Sequence, residues 1–152
     1  MRIGVLSDTH GMRGKLSNAL MRMEAEGPVD ALFHLGDGYD DLTSLQVALP
    51  PVYQVAGNCD TFRTDTLNLV SLAGTRFLLT HGHLQRVRYE LDTLYAFALQ
   101  QKARIALFGH THEQHMEQRD GILLLNPGTA MQGCFAVLEL TTPEDLQVKL
   151  FH

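Results

Sequence analysis

RIGVLSDTHGMRGKLSNALMRMEAEGPVDALFHL, residues 2–35, is the stretch on which the fold turns. Its first run, RIGVLS (2–7), and its last, DALFHL (30–35), are short, apolar and bounded by turn residues, so both read as strands. Between them KLSNALMRMEAEG (15–27) places apolar residues at helical spacing and is closed by Gly27-Pro28. Strand, helix, strand is the order of a parallel pair joined by a helical crossover. Downstream the rhythm repeats: YDDLTSLQVAL (39–49) reads as a short helix and VYQVA (52–56) as a third strand.

From residue 67 the pattern changes. LNLVSL and TRFLLT flank Ala73-Gly74 as a hairpin, and a helix is expected over residues 89–101, with Leu91, Leu94, Tyr95, Ala98 and Leu99 packing on a sheet. RIALF is a strand, EQHMEQ and ILLL flank a type I′ turn at Asp120-Gly121, and CFAVLEL and LQVKLF close the chain as an antiparallel pair. Two packed sheets result, the first built on parallel strands, with helices outside.

Bulk properties narrow the function. A chain of 152 residues with 45% hydrophobic residues suits one domain with a real core. Lys plus Arg number 12 against 17 Asp plus Glu, a net charge of −5, which argues against non-specific binding to nucleic acid or an anionic membrane. No window is long and apolar enough for a transmembrane helix. The apolar stretch at the N-terminus is too short for a signal peptide and reads as the first strand. Two cysteines, Cys59 and Cys134, form no disulfide framework, so a cytoplasmic location is expected.

What stands after each apolar run is more telling. IGVLS is followed by Asp8-Thr9-His10, ALFHL by Gly36-Asp37, VYQVA by GNCD (57–60), RFLLT by HGH (81–83) and RIALF by GHTH (109–112). Ligands in open α/β sheets bind beyond the carboxyl ends of the strands. Convergence of these ends would gather two carboxylates, an amide and several imidazoles. Mixed Asp, Asn and His donors without a thiolate motif suit divalent transition metals such as Mn, Fe, Co, Ni or Zn. The donors exceed the needs of one metal with an open position; two metals sharing a carboxylate would use them all. Two divalent ions, two carboxylates and a hydroxide would leave a charge of about +1, hospitable to a phosphodiester.

Singly these residues have bland readings. Asp8, Asp37 and Asn58 suit turns, Cys59 suits a small buried thiol, and His34 a satisfied core histidine. His115 and His152 read as surface residues. The functional reading prevails for the ligand set because five clusters occupy equivalent strand ends.

The series D-x-H, G-D, G-N-x-D, H-G-H, G-H-x-H resembles the calcineurin-like metallophosphoesterase superfamily, and GNCD and NPGT (126–129) resemble its small bacterial and archaeal phosphodiesterase branch. The resemblance implies a four-layered α/β/β/α sandwich with a binuclear metal site, over residues 1–152 as one domain without a cap. It implies Asp8, His10 and His112 on one metal, Asn58, His81 and His110 on the other, and Asp37 between them. It also implies a hydroxide attacking a phosphodiester, with manganese the first expectation for the metals, and Asp37 and Asn58 as catalytic residues. Where many members carry a His after Gly-Asn, this chain has Cys59. A thiol is a poor proton donor at neutral pH, so activated diesters are favoured and His83 is the candidate helper. With NPGT the resemblance places a further loop at the site, where the residues alone read as a turn.

Two alternatives remain at this point: a non-catalytic scaffold on the same fold, docking a protein partner, and a mononuclear hydrolase of another bond. The full ligand set counts against both. About 20 residues separate GNCD from HGH, so the site is expected to be open and to take a small phosphodiester. Homo-oligomerisation is left open.

Overall fold

The computed structural model describes residues 1–152. The first sheet contains β1 (Arg2–Leu6), β2 (Ala31–His34), β3 (Val52–Gln54), β9 (Phe135–Thr142) and β10 (Asp145–Phe151), in the order β10-β9-β1-β2-β3. The second contains β4 (Leu67–Leu72), β5 (Thr75–Thr80), β6 (Ile105–Leu107), β7 (Gln114–Arg119) and β8 (Ile122–Pro127), in the order β4-β5-β6-β8-β7. Strands β1, β2 and β3 run parallel, as do β5, β6 and β8, so six carboxyl ends are available on two sheets.

Alternation along the strands creates three apolar layers. Ile3 and Val5 of β1 meet Phe33, Phe77, Leu79, Ile105 and Leu107 between the sheets. Leu6 of β1 faces the other way, against Leu16, Ala19 and Met23 of α1 (Arg13–Ala25). Leu78 of β5 and Leu124 of β8 pack outward against Leu94 and Ala98 of α3 (Asp92–Gln100). Parallel strands buried on both faces need apolar residues in both registers, which is why these runs are nearly continuous in hydrophobicity. The result is the expected α/β/β/α sandwich.

Both expected hairpins form. Ala73 and Gly74 have φ of 50° and 73°, and Asp120 and Gly121 have 49° and 81°, the paired positive angles that a type I′ turn demands. Three expectations need correction. The helix expected over 39–49 is a single turn, α2 (Asp41–Ser44): Gln46 turns to a φ of 54° and Pro50-Pro51 lie just beyond, so the helical hydrogen bonds cannot propagate. The helix expected over 89–101 begins only at Asp92, because residues 83–89 are spent in turns. Leu99 is 55% exposed rather than packed, one position beyond the stripe of Leu94 and Ala98.

Candidate metal centre

Each parallel strand runs straight to its hydrogen-bonding limit and delivers its next polar residues to one edge of the sandwich. Asp8 and His10 follow β1, Asp37 follows β2, Asn58 follows β3, His81 and His83 follow β5, and His110 and His112 follow β6. Two compact groups result: donor atoms of Asp8, His10 and His112 lie within 4.8 Å of one another, and so do those of Asp37, His81 and His110.

Asp8 Oδ1 is the focus of three imidazoles, 3.2 Å from His112 Nε2, 3.7 Å from His10 Nε2 and 3.9 Å from His81 Nε2. Asp37 Oδ2 stands between the groups, 3.6 Å from His10 Nε2 and 3.2 Å from His81 Nε2. Asp8 and His81 are fully buried and Asp37 nearly so. Asp8 Oδ2 accepts from Ser7 Oγ at 2.5 Å and from the His110 amide at 3.2 Å, which leaves Oδ1 buried with no hydrogen-bond partner. His81 Nδ1 meets the Leu35 carbonyl at 2.7 Å; a carbonyl only accepts, so Nδ1 carries the proton and Nε2 presents its lone pair. That Nε2 is also buried without a hydrogen bond. Unpaired buried polar atoms cost roughly 1–3 kcal/mol each, and a shared cation satisfies both. The donor chemistry therefore fits divalent metal.

The electrostatics of the protein alone point the same way. Burial pushes the Asp37 carboxyl up, but the His81 imidazole 3.2 Å from Oδ2, with the Cys59 amide donating to Oδ1 at 2.8 Å, carries it well below the ordinary carboxylate range. His81 shows the partner effect: burial lowers its pKa, and Asp37 and Asp8 more than restore it. Burial, then His81 and Arg88, push His110 down to about 4, keeping a neutral imidazole of the kind a metal needs. His83 is half-buried and also pushed down, by burial and His81, and its Nδ1 is buried without a partner.

Backbone strain is concentrated here. Of ten non-glycine residues with positive φ, five are Asp8 (56°), His10 (46°), Asp37 (56°), His110 (69°) and His112 (65°). Left-handed backbone costs about 1–2 kcal/mol at a side chain with Cβ, and clustering of such cost marks functional sites. Tight approach is secured by glycine. A Cβ on Gly36 would stand 2.6 Å from Gly57 N and 2.9 Å from His81 Nδ1.

One sequence reading changes. Cys59 is exposed, not buried, with donor atoms of His10 and Asp37 within 4.8 Å; burial of part of the thiol and the charge of Asp37 push its pKa up. It is exposed because β3 ends at Gln54 and residues 57–60 turn outward over Asp37. Asn58 is exposed too, and its side-chain hydrogen bond runs from Nδ2 to Cys59 Sγ at 3.6 Å. His34 is the satisfied core histidine expected: Nδ1 accepts from Gly36 N at 3.2 Å, and Nε2 lies 3.1 Å from Thr9 Oγ1. His115 and His152 are exposed, as read from the sequence.

Sequence reasoning missed the support from Asp60, though the resemblance had set NPGT at the site. Asp60 accepts four backbone N–H groups, from Asp37 (2.8 Å), Gly38 (3.0 Å), Tyr39 (3.1 Å) and Gly57 (2.7 Å), tying the ends of β2 and β3 together. The NPGT stretch braces the centre from behind. Asn126 Nδ2 donates to Gly109 O and Thr111 Oγ1, both at 3.0 Å, and Thr129 Oγ1 donates to Asp8 O at 2.8 Å. The Asp of GNCD was the only visible signal for Asp60; its four acceptor contacts come from two separate loops.

Residues 1–142 match the calcineurin-like phosphoesterase superfamily domain, and the chain belongs to that family. A probable metallophosphoesterase of Bacillus subtilis, YsnB, is 37% identical over 130 residues, covering 85% of this chain and 75% of the relative. The phosphodiesterase MJ0936 of Methanocaldococcus jannaschii is 28% identical over 148 residues, 84% of this chain and 83% of that protein. Among solved structures, a predicted phosphoesterase from Streptococcus pneumoniae superposes with a TM-score of 0.79 at 29% identity, covering 99% of this chain and 88% of that one.

Proposed function

We propose that this metallophosphoesterase is a phosphodiesterase working with two divalent transition metals, manganese foremost. The observation that carries the reading is the position of Asp37 Oδ2 between His10 and His81, beside the orphaned Asp8 Oδ1 and His81 Nε2. Asp8, His10 and His112 would hold one ion, His81 and His110 the other, and Asp37 both. Asn58 would join the second set by exchanging its contact with Cys59. When bound, the ions lower the pKa of a water and offset negative charge developing on phosphoryl oxygens.

The chain's own residues orient and exclude. Ser7 and the His110 amide hold Asp8 in one rotamer, and Leu35 O fixes the His81 tautomer, so the lone pairs converge without reorganisation. His83, kept neutral, can offer a ring N–H to the leaving oxygen but cannot deliver a full proton cheaply at neutral pH. With a protonated Cys59 thiol on the same rim, activated or intrinsically labile diesters are the favoured substrates. The phosphodiesterase MJ0936 supports the choice of diester over monoester.

The test is hydrolysis of an activated aryl phosphodiester by metal-stripped protein after adding back Mn, Ni, Co, Zn or Mg, beside the matching monoester. Turnover requiring about two ions per chain, with diester preferred, is expected. Metal uptake without turnover would transfer the reading to a non-catalytic scaffold.

A further inference from the structure

Arg88 lies in the loop between β5 and α3, exposed at the rim of the centre. Its Nε donates to His110 Nε2 at 3.0 Å, and its Nη2 donates to the His110 carbonyl at 3.2 Å. The first bond needs a lone pair on Nε2, which puts the proton of a neutral ring on Nδ1.

That arrangement conflicts with His110 as a metal ligand through either nitrogen. If Nε2 binds the ion, its lone pair is used. If Nδ1 binds it, the neutral ring keeps its proton on Nε2, and one N–H would face another. In both cases the Arg88 Nε contact must break, while the bond to the His110 carbonyl can persist. Metal loading would thus leave a tethered, permanently charged guanidinium with free donors beside the ion.

Of the two flanking cavities, the one beside Arg88 is the less acidic. The cavity of about 360 Å³ on the other flank is walled by Asp37, Asp40, Asp41 and Asp60. The cavity of about 350 Å³ beside Arg88 is bounded by Tyr89, Phe108 and Thr111, with Glu113 as one of its two carboxylates. Guanidinium matches phosphate oxygens with a two-donor fork.

We propose that Arg88 is the phosphate-binding residue of the metal-loaded site, held on His110 until the metal displaces it. This rests on the metal-centre reading above and adds a substrate contact to it. The guanidinium would take a non-bridging oxygen of the phosphoryl group, so that loading and substrate recognition are coupled.

Calorimetric titration of wild type, Arg88→Met and Arg88→Lys with Mn alone, then of the metal-saturated proteins with inorganic phosphate, tests this. Arg88→Met should bind the metal roughly 3- to 10-fold more tightly, since a competing hydrogen bond and a repelling charge both vanish. The same variant should bind phosphate roughly 10- to 100-fold more weakly, and Arg88→Lys should recover part of that loss. Unchanged phosphate affinity in metal-loaded Arg88→Met, or weakened metal binding from loss of a brace on His110, would overturn the proposal while leaving the metal centre intact. A wild-type chain that took up no metal would overturn the metal-centre reading and this proposal with it.

Discussion

Removing the His112 side chain two ways separates what the site costs from what it does. His112 has a φ of 65°, so any residue with Cβ pays about 1–2 kcal/mol there, whereas glycine does not. Glycine loses about 0.5–1 kcal/mol more backbone entropy on folding, which offsets part of the gain. In chelator His112→Gly should therefore be more stable than His112→Ala by about 1 kcal/mol, or roughly 2–4 °C in Tm for a chain of this size. At Leu99, in α3 and 55% exposed, the order should reverse, with glycine about 1 kcal/mol worse than alanine. Thermal unfolding followed by circular dichroism measures all four variants. Repeating the scan with metal at about 100 times its Kd should add about 2.7 kcal/mol per occupied site to the wild type, and less to both His112 variants. If His112→Ala equalled or exceeded His112→Gly in chelator, the left-handed backbone would carry no strain, and its clustering would lose its weight as a sign of function.

Asp37→Asn keeps the shape but removes the charge between the two groups; metal stoichiometry and turnover should both collapse, and near-normal turnover with Mn would refute the shared carboxylate. Cys59→His should accelerate diesters with poor leaving groups more than activated ones; equal acceleration across a leaving-group series would remove position 59 from proton donation. His34 is fully buried and, mainly through burial, pushed down to about 4 from 6.5. A lowered histidine pKa means that its contribution is complete above pH 6.5 and is lost as the pH falls from there through 4, about 3 kcal/mol in all. His34→Asn should flatten the stability difference between pH 7 and pH 4.5 in denaturant titrations, and an unchanged difference would place the acid sensitivity elsewhere.

Much of this protein could be read from the chain alone. The strand-helix-strand periodicity of residues 2–35 implied parallel strands, the Asp-Gly and Ala-Gly pairs implied hairpins, and polar clusters after five apolar runs implied a site at strand ends. These signals are local, because burial on two faces and tight turns dictate residue type within a few positions. The extent of α2 was not legible, since a positive φ at Gln46 is a tertiary accommodation no propensity announces. Nor was the exposure of Cys59, which depends on how residues 57–60 pass over Asp37.

By itself, then, the sequence determined which residues could bind metal and the layers that would carry them, because spacing and hydrophobic period are properties of the chain. Only tertiary structure decided how they meet: β9 inserted beside β1, two sheets facing, Asp60 clasping two loops, and Asp37 set between His10 and His81. The same holds for Arg88, an unremarked charge in the chain that contact with His110 turns into a candidate phosphate ligand. Distances between residues far apart in sequence are set by packing of the whole core, and no local pattern encodes them.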